Sequence, residues 1–221
     1  MSVEFADSTD RVCLPVSSNP ALQDIDLLVF PSYLVPVEPA GVVLEEHALA
    51  VDAGRIVALL PAAEARARFH ARESLELPGR AVLPGLVNLH THAAMSLLRG
   101  LADDLPLMDW LQNHIWPAEG THVSHAFCLD GVRLAAAEFI RGGVTCANDM
   151  YFFPNASAEA FSSVGMRAAV NLIVIDFPTA WASGPDEYLS KGLEVHDAVR
   201  SNPLLRTVFA PHAPYTVSDA P

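Results

Sequence analysis

PGLVNLHTHAAMSLLRG, Pro84–Gly100, decides how the rest of the chain is read. It opens on a tight Pro-Gly, continues as a short apolar run and ends in two histidines at i and i+2. On a strand such residues share a face. His90 and His92 are therefore expected to project together, with Thr91 pointing away. The end of a strand before a helix is where α/β enzymes gather their chemistry. Two neutral imidazoles aimed from rigid backbone make half of a zinc or iron site. The same spacing also suits two strand-end histidines satisfied by ordinary hydrogen bonds, and the pair alone does not choose between these readings.

Downstream of this stretch the pattern alternates between strand and helix. Thr121–Ile140 carries apolar residues at helical spacing, with Thr121 or Ser124 as cap and Gly142-Gly143 as stop. VTCANDM reads as a strand, SAEAFSSVG as a short helix and RAAVNLIVIDF as a buried strand. Pro185 opens a further helix, with Asp186 and Glu187 in its first turn, and LLRTVFAPHAPY returns to strand. Repeated strand–helix units predict a parallel sheet. A closed eight-stranded barrel takes roughly 250 residues. The stretch after Pro84 is much shorter, so the pattern fits either an open doubly wound sheet or half of a barrel.

Upstream, the rhythm is that of short strands. VVLEEHALAVDAGRIVALL reads as two strands joined at Asp52-Ala53-Gly54. AEARARFHA reads as a short Ala-rich helix or turn, and ESLELPGRAV as strand again. Residues 25–80 are therefore expected to form a small antiparallel β unit. Residues 1–24 read as a polar leader, and residues 81–221 as the α/β part.

Composition narrows the function classes. Of 221 residues 51% are hydrophobic and 18% charged, which favours a packed core over disorder. The net charge of −13 argues against a nucleic-acid partner. The 3 cysteines lack CxxC spacing, which suits a reducing compartment. The N-terminus has no apolar core of a signal peptide, and no run approaches the ~18 apolar residues of a membrane helix. A cytoplasmic protein with no membrane partner is the expectation. No GxSxG, P-loop or GxGxxG is present in the sequence.

LPGLVNLHTHAAMSLLRGLADDLPLMDWL, WPAEG and FAPHAPYTVSD occur in an order that strongly resembles the amidohydrolase superfamily. Within it, they resemble the 5-methylthioadenosine/S-adenosylhomocysteine deaminases and the related triazine chlorohydrolases. AVDAGRIVALLP is similar to the β-sandwich strands that precede the barrel in that superfamily, so the resemblance covers about residues 25–221. It implies a (β/α)8 TIM-type barrel, of which about the first half is present here, preceded by a small β-sandwich domain. It implies one divalent metal, zinc or alternatively iron, on His90 and His92. Further ligands, and a glutamate that shuttles protons, are then expected beyond residue 221. Such a metal lowers the pKa of its water toward ~7 and supplies a nucleophile near neutral pH.

The resemblance also assigns substrate contacts. Glu119 would accept hydrogen bonds from ribose hydroxyls; on the bare sequence it is equally a solvated loop carboxylate. Trp110 would wall the nucleoside, or simply pack a helix face. His212 would touch substrate rather than metal. The implied reaction is hydrolytic deamination of a purine nucleoside: 5-methylthioadenosine, S-adenosylhomocysteine or adenosine. A chlorohydrolase or a guanine/cytosine-type aminohydrolase is the alternative within the superfamily. A non-catalytic scaffold is the alternative of another class. The partner is a small molecule, and a homo-oligomer is compatible with the resemblance. Arg99 is expected to pair with Asp103-Asp104, His122 and His125 to lie on a helix surface, and Met95 and Met150 to fill core.

Overall fold

The computed structural model describes residues 22–221. The expected leader falls almost wholly outside the described residues, as does Cys13, although the first strand already begins at Gln23. The chain divides after Pro84 into two compact units.

The first unit contains β1 (Gln23–Leu34), β2 (Leu44–Glu45), β3 (His47–Asp52), β4 (Arg55–Pro61), α1 (Ala62–Arg68) and β5 (Phe69–Val82). Strands β3 and β4 form a hairpin over Ala53-Gly54. Both residues have positive φ, 48° and 72°, as a two-residue turn matched to strand twist requires. The Asp26 carboxylate accepts from Ala53 N–H at 2.8 Å and secures the turn. The sheet runs β2-β1-β3-β4, with β5 also on β1. It is mixed rather than wholly antiparallel: β5 lies parallel to β1, while the other three pairings are antiparallel. Helix α1 supplies the crossover that lets the chain return in the same direction. Ile25, Leu28, Phe30, Ala48, Ala50 and Leu60 are buried together with Ala65 of the helix. Among the described residues this is one sheet covered by a helix, not the two facing sheets of a sandwich.

The second unit begins with β6 (Leu86–Thr91), followed by a 3₁₀ turn at Ala93–Leu98. The chain then passes through α2 (Leu107–Trp110), a π turn at Leu111–Ile115 and α3 (Trp116–His122). After these come α4 (His125–Arg141), β7 (Val144–Met150), α5 (Pro154–Ser163), β8 (Arg167–Val174), α6 (Pro185–Val199) and β9 (Leu205–Pro211). The stretch expected as one helix from Thr121 is broken at Val123-Ser124. Ser124 is extended (φ −152°) and caps α4 by accepting from Phe127 N–H.

The four strands pair in parallel in the order β6-β7-β8-β9. A doubly wound sheet reverses its strand order at a switch point. Here every strand adds on the same side of its predecessor, as in a TIM-type barrel. Helix α4 buries Cys128, Gly131, Val132, Ala135 and Ala136, one stripe at helical spacing. Gly131 is required there: a Cβ would sit 2.5 Å from the Ala94 carbonyl oxygen. That close approach seats the turn following His92.

Candidate active site

The C-terminal ends of β6 to β9 open into one cavity of about 300 Å³, a size suited to a small molecule. His92, Trp110, Glu119 and His212 all line it. His90 lies beside His92, their rings T-shaped with centroids 5.1 Å apart. Residues far apart in sequence meet here because each follows a strand or sits on the helices after β6.

The end of β7 organises this cluster. His92 Nδ1 lies 2.6 Å from the Met150 carbonyl oxygen. A carbonyl can only accept, so Nδ1 carries the proton, and the lone pair of the neutral ring is on Nε2. This is the arrangement that orients a metal-ligating imidazole. One residue earlier, Asp149 Oδ1 accepts from Ala93 N–H at 2.7 Å. Asp149 is fully buried; burial pushes its carboxyl up, and the Ala93 bond opposes that. Its Oδ2 has no hydrogen-bond partner among the described residues. One residue later, the Tyr151 hydroxyl donates to Glu119 Oε1 at 2.7 Å. Burial raises the Glu119 carboxyl, with the Tyr151 bond acting against it. Burial first, and then the Glu119 charge, raise the Tyr151 phenol. Cys128 behind them is pushed up to about 12, chiefly by burial, and is an unreactive thiol.

His212 follows β9 and shares a 2.8 Å hydrogen bond between Nδ1 and Thr216 Oγ1. Burial, and then the nearby His92, lower its pKa, so the neutral ring is favoured. Trp110 Nε1 donates to the Leu101 carbonyl, which fixes the indole at the cavity wall. Trp116 and Phe177 meet edge-on at 6.1 Å on the same wall.

Two histidines are fewer than a zinc site needs. Among the described residues no group of three or more His, Cys, Asp or Glu could hold a metal ion. The His90–His92 pair, with Nε2 of His92 available, fits as part of a larger ligand set.

Several expectations need correction. Arg99 does not pair with Asp103-Asp104; it forms a two-pronged bond with Glu138 of α4, at 2.7 and 3.0 Å. Fork geometry on a helix face favours that partner over two loop carboxylates. Met95 and Met150 pack against the core as expected, and in addition line the cavity. Glu119 sits on a helix, not a loop. His122 is exposed and His125 packs edge-on against Phe153. Asp149 and Tyr151 had no sequence signal of spacing or motif, and Thr216, although inside FAPHAPYTVSD, was not singled out. Their roles come from bonds to residues far off in the chain or, for Thr216, from a turn that only the structure defines.

Comparison with known proteins places this architecture. The model of the amidohydrolase family matches residues 81–220. A 5-methylthioadenosine/S-adenosylhomocysteine deaminase of Saccharophagus degradans is 52% identical over 89% of this chain and 44% of its own length. Its counterpart in Teredinibacter turnerae is 46% identical, over 89% of this chain and 45% of its own length. A crystal structure of an adenosine deaminase from Xanthomonas campestris with bound zinc superposes with a TM-score of 0.88. It is 54% identical and covers 90% of this chain and 45% of that one. A triazine hydrolase of Arthrobacter aurescens, 18% identical with a TM-score of 0.75, shares the fold; 87% of this chain and 47% of that one are covered. The chain thus spans about half the length of the relatives it matches, and it belongs to the amidohydrolase family.

Proposed function

We propose that this chain supplies one part of the active site of a metal-dependent hydrolytic deaminase. Its substrate is an adenine nucleoside: 5-methylthioadenosine, S-adenosylhomocysteine or adenosine. The observation that carries the reading is the convergence of His92, Trp110, Glu119 and His212 on one cavity at the strand ends. The names of the relatives at 46–52% identity support the substrate class.

In this reading His90 and His92 hold one divalent cation, zinc in preference to iron. Further ligands and the proton-shuttling glutamate come from outside the described residues. When bound, the cation acidifies water and so supplies the nucleophile. Trp110, Trp116 and Phe177 exclude bulk solvent and hold the base. Glu119 accepts from ribose hydroxyls and sets the register of the nucleoside. His212 contacts the base. Water adds to the carbon bearing the amino group, the carbon–nitrogen bond breaks, and ammonia leaves as the ring carbon gains its oxygen. The partner is a small molecule, and a cytoplasmic setting fits this substrate class. Among the described residues no helix is long and apolar enough to cross a membrane.

The test is ammonia release by the intact protein from methylthioadenosine, S-adenosylhomocysteine, adenosine and guanine. Release from one or more adenine nucleosides supports the reading. Release from guanine alone, or from none, refutes it.

A further inference from the structure

Glu119 lies in a stretch of short helical turns outside the sheet, anchored by the buried Ile115. The stretch from Leu107 to His122 consists of α2, a π turn and α3, each short. Among the described residues, its only hydrogen bond to the strand ends is the one from the Tyr151 hydroxyl to Glu119 Oε1. Tyr151 itself is 5% exposed. Its ring packs on Phe152 at 5.0 Å and lies 6.5 Å from the ring of His92. It directly follows Met150, whose carbonyl orients His92.

We propose that Tyr151 is the positioning residue for Glu119: its phenol pins Oε1 and leaves Oε2 to accept from a hydroxyl of the bound ligand. The ligand class is a compound presenting a sugar hydroxyl, and this rests on the nucleoside reading above. Polarity is unambiguous, since a carboxylate only accepts and the phenol must donate. Hydrogen bonds to charged groups are the stronger class. A carboxylate free to rotate would have to be ordered by each incoming ligand, so fixing it beforehand favours binding. Tyr151 thereby joins the two halves of the site through one strand end: the backbone before it orients the imidazole, and its side chain holds the carboxylate.

The test uses the intact protein, with Tyr151→Phe, Glu119→Ala and the double variant. Phenylalanine keeps the ring and its packing. Tyr151→Phe is expected to raise KM for methylthioadenosine about tenfold while kcat stays within about twofold, the scale of one hydrogen bond to a charged group. KM for 2′,3′-dideoxyadenosine should not move. In the Glu119→Ala background Tyr151→Phe should add nothing. An equal loss of kcat on both substrates, or effects that add in full, overturns the positioning role while leaving the deaminase reading intact. If no nucleoside releases ammonia, the deaminase reading fails, and the pairing is judged without substrate by proton NMR. A protected phenol proton resonance, absent in Tyr151→Phe and shifted in Glu119→Ala, upholds it. A resonance insensitive to Glu119→Ala overturns it.

Discussion

A hydrogen bond at one ring nitrogen fixes an imidazole's tautomer and aims the other nitrogen, and at His92 the Met150 carbonyl supplies that bond. The neighbouring contact is equally specific: buried Asp149 holds the Ala93 N–H immediately after His92. Asp149→Ala leaves that N–H without its partner. It should weaken zinc binding by roughly 10-fold or more and cost about 1–3 kcal/mol of stability. Asp149→Asn retains an accepting oxygen and should bind zinc within about twofold of wild type, because burial already disfavours the charge on this carboxyl. Chelator competition and thermal unfolding read both effects. The His-x-His pair was legible because strand periodicity puts i and i+2 on one face. Asp149 and Tyr151 were not, since their bonds span 56 and 32 residues and no local pattern encodes them.

At the scale of elements, α4 and α6 carry the clearest tests. Gly131 lets α4 approach the backbone of Ala94, so a methyl group there must displace main chain. Gly131→Ala gains up to ~1 kcal/mol of helix propensity but should still be net destabilising, by about 1–3 kcal/mol from overpacking. Differential scanning calorimetry decides the sign. In the first turn of α6, Glu187 bonds Lys191 at 2.7 Å and both the hydroxyl and the N–H of Ser183. Lys191 first, and then Ser183, hold its carboxyl down at about 2 against an ordinary 4.5. A carboxylate depressed in the folded state stabilises fully above its unfolded pKa. That contribution is lost as pH falls from about 4.5 through about 2. Wild type should therefore lose more Tm than Glu187→Gln across that window, with Glu187→Gln the lower of the two at pH 7. Parallel Tm profiles for the two proteins would contradict this. The elements were mostly legible, because Pro185, Ser124 and the paired glycines mark helix ends by local chemistry. The parallel pairing of β5 on β1 was not, because sheet partners distant in sequence leave no periodic trace.

At the scale of the molecule, the strand order β6-β7-β8-β9 decided between two architectures that share the same strand–helix rhythm. That order arises from which strand each crossover returns to, and hydrophobic periodicity does not record it. The sheet leaves apolar residues open on its outer strands: Leu86, Val87 and Leu89 on β6, and Val208 and Phe209 on β9. Exposed edges and apolar faces of this kind promote association. These 221 residues expressed alone should bind a hydrophobic dye, show no cooperative unfolding and release no ammonia. A sharp thermal transition without dye binding would show that the stretch is self-sufficient. The proposed metal site shares this dependence, since among the described residues no group of three or more His, Cys, Asp or Glu could hold an ion.

The most direct test is therefore the metal content of the intact protein and of its His90→Ala and His92→Ala variants, measured by elemental analysis alongside ammonia release. The account predicts one equivalent of zinc or iron per chain, with both metal and ammonia release lost in either variant. Undiminished ammonia release from a variant without these imidazoles would contradict it.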